Sequence, residues 1–135
     1  MPDDELAFAT IAYQSQLLRR GDLSPVELTQ LYLDRIDAYD EHLNAYLTLT
    51  AERAIASARA AEAAIQGGDW RGPLHGIPIA LKDLFDVVGL PTTAGSIILR
   101  EQIASRDATA ARRLFEAGAV LLGKTQMVEF AFGGA

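Results

Sequence analysis

Apolar residues recur along this chain with two periods, and the switches between them outline its elements. Leu6, Ile11, Leu17 and Leu18, with alanines between, predict a helix over residues 5–20 that ends near Gly21. Ser24-Pro25-Val26-Glu27 then marks a helix start: Ser as N-cap, Pro at the first helical position and Glu placed to close a capping box. Leu28, Leu31, Tyr32 and Ile36 follow at three- and four-residue steps, so this amphipathic helix runs to about Tyr39. From His42 to Thr50 the period falls to two, with Leu43, Ala45, Leu47 and Leu49 on one face of an extended segment. Residues 51–66 form an alanine-rich helix closed by Gly67-Gly68, and Asp69 to His75 is a loop punctuated by Gly72-Pro73.

Period two returns at Ile77, Ile79 and Leu81, which alternate with Pro78, Ala80 and Lys82. Leu84 to Val88 is a second short apolar run reaching a turn at Gly89. Asp107 is placed to cap a helix through Glu116, with Ala111, Leu114 and Phe115 inward and Gly118 at its end. Ala119 to Leu122 is aliphatic on both faces, the pattern of a buried parallel strand. Strand, helix and strand at these spacings predict a βαβ-like crossover. The fold class is α/β, with N-terminal helices packed on a mixed, partly parallel sheet that begins with the Lys82 and Val120 strands. A change of character at 67–75 divides a mainly helical layer, 1–66, from an α/β part, 72–135.

Lys82 is the residue this pattern makes conspicuous. An ammonium inside so apolar a run is costly to bury unpaired, and a desolvated, neutral lysine is a usable proton acceptor. A free lysine titrates near pH 10.4, so burial has to disfavour its charge before general-base work is possible. Two plainer readings compete: a lysine snorkelling to solvent, or an ion pair with Asp83 or Asp86. Neighbouring strand residues point to opposite faces, which places Asp83 poorly for pairing with Lys82.

Composition narrows the class further. Half the residues are hydrophobic and 22% are charged, as in a globular domain. Net charge is −6, which argues against a nucleic-acid surface or an anionic membrane as the main partner. Zero cysteines exclude disulfides and thiol nucleophiles, and the isolated His42 and His75 lack companions at ligand spacing, so no metal or other cofactor is expected. The acidic start MPDDELAFAT lacks a signal peptide's basic and apolar regions, and no apolar run approaches the roughly 18–20 residues that span a bilayer. A cytoplasmic location is the default expectation. G-A-V-L-L-G-K-T at 118–125 matches the phosphate-loop spacing literally, but A-V-L-L is a strand core and helix precedes Gly118, the wrong context for a nucleotide site.

Three blocks in order, G-I-P-I-A-L-K-D, G-L-P-T-T-A-G-S and A-G-A-V-L-L-G-K-T-Q-M-V-E-F-A-F-G, resemble the amidase signature family across most of residues 72–134. The resemblance implies hydrolysis of carboxylic amides by a serine nucleophile, a second serine on a cis peptide, and a lysine. By block match that catalytic lysine is Lys82. Thr92, Thr93, Gly95 and Ser96 then help build the active-site floor, against the plainer reading of a tight turn. Met127, Phe130 and Phe132, with Gly133 closing the block, lie beside the substrate channel, although such apolar groups are more often simple core. Gln126 stands where the family commonly has Asn.

The family's two serines follow the E-F-A-F-G block in a Gly/Ser-rich segment. The expectation is therefore that these residues are the N-terminal portion of a longer amidase and are inactive alone. Its partner would be a small-molecule amide, and a homodimer is a further possibility left open. One alternative inside the family is the glutamine-hydrolysing A subunit of a tRNA-dependent amidotransferase. Another, of a different class, is a non-catalytic helical interaction module.

Overall fold

Ser24 initiates the longest helix as its side chain allows: Oγ accepts from Val26 N–H at 3.0 Å and Glu27 N–H at 3.2 Å, and Glu27 returns a carboxylate to Ser24 N–H at 2.9 Å. In this computed structural model, which describes residues 3–133, the helix extends over Pro25–Leu43 (α3). It is preceded by α1 (Asp3–Ala7) and α2 (Ile11–Arg20). It is followed by β1 (Tyr46–Leu49), α4 (Ala51–Gln66), β2 (Pro78–Lys82), α5 (Thr109–Glu116) and β3 (Val120–Thr125). Short 3-10 turns occupy Ile97–Leu99 and Glu129–Ala131.

The first predicted helix is two. Thr10 accepts from Tyr13 N–H and starts α2 afresh, while buried Gln14 donates to Leu6 O at 2.9 Å and Tyr32 Oη at 2.7 Å, fastening the short α1 onto α3. The α3 helix also runs past Tyr39 to an αL cap at Asn44, so Leu43 is helical rather than extended. In β1 the side chains sit opposite to expectation: Tyr46 and Thr48 are half-buried, Leu47 and Leu49 exposed.

The sheet order is β1-β3-β2, antiparallel between β1 and β3 and parallel between β2 and β3. The parallel pair joined through α5 is the crossover that the spacing predicts. As the central strand, β3 is buried along almost its whole length. Val120 and Leu122 pack with Leu33 of α3 and with Ala54 and Ala58 of α4; Leu121 packs with Leu81, Val87 and Ala111. The alanine stripe of α4 lets helix and sheet approach closely. Gly123 likewise lets β1 and β3 approach, because a Cβ there would lie 2.3 Å from Thr48 O.

Asp107 does not cap α5. The N-cap is Ala108, and the Asp107 carboxylate instead accepts from Val88 N–H at 2.7 Å, holding the end of the Leu84–Val88 run. Among the described residues no helix is long and apolar enough to cross a membrane.

Candidate active site

Position in the sheet decides the fate of the chain's two lysines. Lys82 ends β2, an edge strand, and both Ala80 and Lys82 are exposed. Among the described residues the burial expected from the apolar run is not met: alternation buries Ile77 and Leu81, and the opposite face of this edge is open. Lys82 makes no ion pair with any described residue.

Lys124 is the buried lysine. It lies in the central strand with no exposed surface, and its Nζ donates to Asp83 Oδ1 at 2.9 Å, Pro91 O at 3.0 Å and Thr92 Oγ1 at 3.3 Å. All three ammonium donors thus have acceptors, the condition under which a buried ion pair is tolerable. Asp83, itself 1% exposed, turns its other oxygen to Thr93, accepting from the backbone N–H at 3.0 Å and from the hydroxyl. Sequence reasoning placed Asp83 correctly off the Lys82 face but missed its partner. The signal was present, since A-V-L-L-G-K-T is a more continuous apolar run than the one around Lys82.

From Asp83 the chain is stitched to the Thr92–Ser96 loop. Asp83 O accepts from Ala94 N–H at 3.0 Å, and Ala94 adopts a left-handed φ of 50°, a strained value for a residue with a Cβ. Ala94 O accepts from Phe130 N–H at 2.7 Å, and Ser96 Oγ donates to Glu129 Oε1 at 2.6 Å. Gly95 lies so close to the next segment that a Cβ would meet Met127 O at 2.8 Å. The loop is therefore a built feature, clamped to Asp83 on one side and to Met127–Phe130 on the other.

Of the residues that the sequence singles out, Thr93 and Gly95 line a cavity of about 220 Å³ with Leu47, Ser96, Arg100 and Gln126. Met127 is half-buried against Gly95. Phe130 and Phe132 are 54% and 92% exposed, which overturns their reading as core; Gly133 beside them is exposed too. Of these, Phe130 is tied to the Thr92–Ser96 loop by its N–H bond to Ala94 O, and Lys82 adjoins that loop through Asp83.

The phosphate-loop match dissolves in the geometry. Gly118 ends α5 with a φ of 87° and packs on His75, and Lys124 is committed to Asp83. His75 is no bland loop residue: it is 1% exposed, its Nδ1 accepts from Arg71 N–H at 3.2 Å, and burial followed by the nearby Arg71 charge lowers its pKa below 6.5. His42 is exposed in the last turn of α3.

A family model described as amidase matches residues 27–135. The chain is 47% identical over 131 residues to the A subunit of glutamyl-tRNA(Gln) amidotransferase from Moorella thermoacetica, covering 97% of this chain and 27% of that protein. The protein of the same name from Halorhodospira halophila is 48% identical over 126 residues, 93% of this chain and 26% of its own. The native peptide amidase from Stenotrophomonas maltophilia superposes with a TM-score of 0.86 at 38% identity, over 92% of this chain and 26% of that one. The chain thus spans about a quarter of the length of the curated relatives it matches.

Proposed function

The chain belongs to the amidase family, and from that membership we propose that the protein carrying it hydrolyses carboxylic amide C–N bonds with Lys82 as general base. On this reading a serine outside these residues attacks the amide carbonyl. Its proton passes through a bridging serine to the neutral Lys82 amine. That proton then returns to the leaving nitrogen as the C–N bond breaks, and water releases the acyl group from the serine by the same route. No cofactor enters the scheme. Thr93, Gly95, Met127, Phe130, Phe132 and Gly133 border the amide.

One observation carries the proposal. The Asp83 carboxylate is wholly engaged by Lys124 and Thr93, so the lysine ending β2 is left uncommitted beside a rigid loop. Exposed as it stands, the amine acquires a low-dielectric setting when further chain of the longer protein covers the Ala80–Lys82 face.

The test is kcat/KM of the longer protein with Lys82 intact, Lys82→Ala and Lys82→Arg, with circular dichroism as folding control. Loss of a positioned base costs on the order of 10²–10⁴-fold. Arginine keeps the charge but cannot give up a proton, so it fails as alanine does. Near-normal turnover by the arginine variant refutes the base assignment.

A second reading within the family is the A subunit of a glutamyl-tRNA(Gln) amidotransferase, favoured by the 47% identity to the Moorella thermoacetica protein of that name. Glutamine hydrolysis that requires companion subunits supports it. Turnover of simple amides by the lone protein supports the general amidase.

A further inference from the structure

Four polar groups of Asp83 hold four different places. Its N–H donates to Thr125 O at 3.2 Å, at the end of β3, and its carbonyl accepts from Ala94 N–H at 3.0 Å. Oδ1 takes the Lys124 ammonium and Oδ2 takes Thr93. Lys124 in turn reaches Pro91 O and Thr92 Oγ1, so the pair grips the loop at Pro91, Thr92, Thr93 and Ala94. The residue so fixed is bonded covalently to Lys82.

A lysine side chain with no ion-pair partner keeps most of its rotamer freedom, so only its backbone anchor and its walls can aim it. Charge pairing alone does not account for the arrangement. Buried ion pairs are often replaced by neutral groups without loss of stability, whereas their geometry is specific.

We propose that Asp83, clamped by Lys124, is a positioning residue for Lys82: it sets the distance and direction between the end of β2 and the Thr92–Ser96 loop, and thereby where the Lys82 amine stands. This rests on the reading of Lys82 as the base. Asp83 touches no reacting atom; its effect passes through the backbone of β2 and the loop. A misplacement of about 1 Å in a reacting group is enough to cost on the order of 10²-fold in rate.

The experiment uses the longer protein and the double variant Asp83→Asn/Lys124→Met, which removes both charges and leaves no buried ion unpaired. Four quantities are read: the melting temperature, kcat, KM, and the acylation rate of Lys82 by acetic anhydride, followed by peptide mass spectrometry. The expected result is a folded protein melting within about 5 °C of wild type. Its kcat falls about 10–100-fold with a smaller change in KM, and its Lys82 acylation rate changes at least about threefold.

A folded double variant with wild-type kcat and wild-type acylation overturns the proposal. So does one whose kcat falls while Lys82 acylates as before, since the loss then arises elsewhere. Altered acylation with unchanged kcat supports the positioning role and instead overturns Lys82 as the base, which separates the two failures. Should the double variant not fold, Thr92→Val takes its place. It keeps the ion pair, removes one acceptor of Lys124, and must lower kcat at least about threefold with altered acylation; no change in either sinks the proposal.

Discussion

Replacing Gly118 by alanine tests the packing account of this chain where it competes most directly with the phosphate-loop pattern. Gly118 closes α5 with a φ of 87°, its N–H bonds Phe115 O at 2.9 Å, and its carbonyl accepts from Gly76 N–H at 2.9 Å. An added Cβ would stand 2.4 Å from Cδ2 of His75 and 3.1 Å from its Cα. Relief requires a shift of roughly 1 Å to reach ordinary contact. His75 has little room to give: it is 1% exposed, its ring lies 5.8 Å from that of Trp70, and its Nδ1 holds Arg71 N–H. The left-handed backbone costs about 1–2 kcal/mol for a non-glycine residue, and overpacking a filled core adds about 1–3 kcal/mol, giving about 2–5 kcal/mol. Gly89→Ala is the control, since its φ is 80° but nothing lies within 4 Å of its Cβ position, leaving the backbone cost alone. Urea unfolding reads the difference. With a slope of about 2 kcal/mol per molar, the midpoint falls about 1–2.5 M for Gly118→Ala and about 0.5–1 M for Gly89→Ala. A Gly118→Ala shift no larger than that of Gly89→Ala would show that His75 yields freely and that the reasoning is wrong.

Two further outcomes are expected. Burial and the Arg71 charge lower the pKa of His75 in the folded state, so below pH 6.5 the unfolded chain binds the extra proton and the native state resists it. Stability therefore falls as pH drops from about 7 through 6.5 toward the lowered folded value, and His75→Gln flattens that slope in urea titrations at several pH values; an unchanged slope counts against the assignment. Ser24→Ala removes both Oγ acceptances at the start of α3 and costs about 1 kcal/mol by the same measurement, whereas a loss indistinguishable from that of an exposed mid-helix serine contradicts the capping account.

Local chemistry made the fold legible where it acts alone. Ser24-Pro25-Val26-Glu27 specifies its own helix start, and residues 51–66 carry both propensity and a glycine stop. The misreadings fall where a distant partner outbids the local pattern. Thr10 caps a new helix, while Gln14 of α2 and Tyr32 of α3 bond the end of α1 at Leu6 O and Ala7 O and fix the break. Leu47 and Leu49 look inward by periodicity, yet β1 lies against the close-packed Gly123 position of β3, so Tyr46 and Thr48 take the inner face. Asp107 reads as a cap, but the orphan N–H of Val88, distant in sequence, claims its carboxylate.

The site shows the same division between what a strand says about itself and what its neighbours say about it. Period two fixes that Lys82 opposes Leu81 and Ile79, but it cannot tell an edge strand from a central one, and among the described residues that distinction decides whether the amine is buried. Lys124 poses the converse problem. Its run is apolar on both faces, so no side of β3 offers solvent, and the charge must be met inside. The one carboxylate that meets it follows Lys82 in sequence and, by strand alternation, faces the other way. Strand alternation turns Asp83 away from its neighbour Lys82, and the bond to Lys124 meets the buried charge. On the proposed reading of Lys82 as the base, the aspartate beside it is thereby engaged elsewhere, by Lys124.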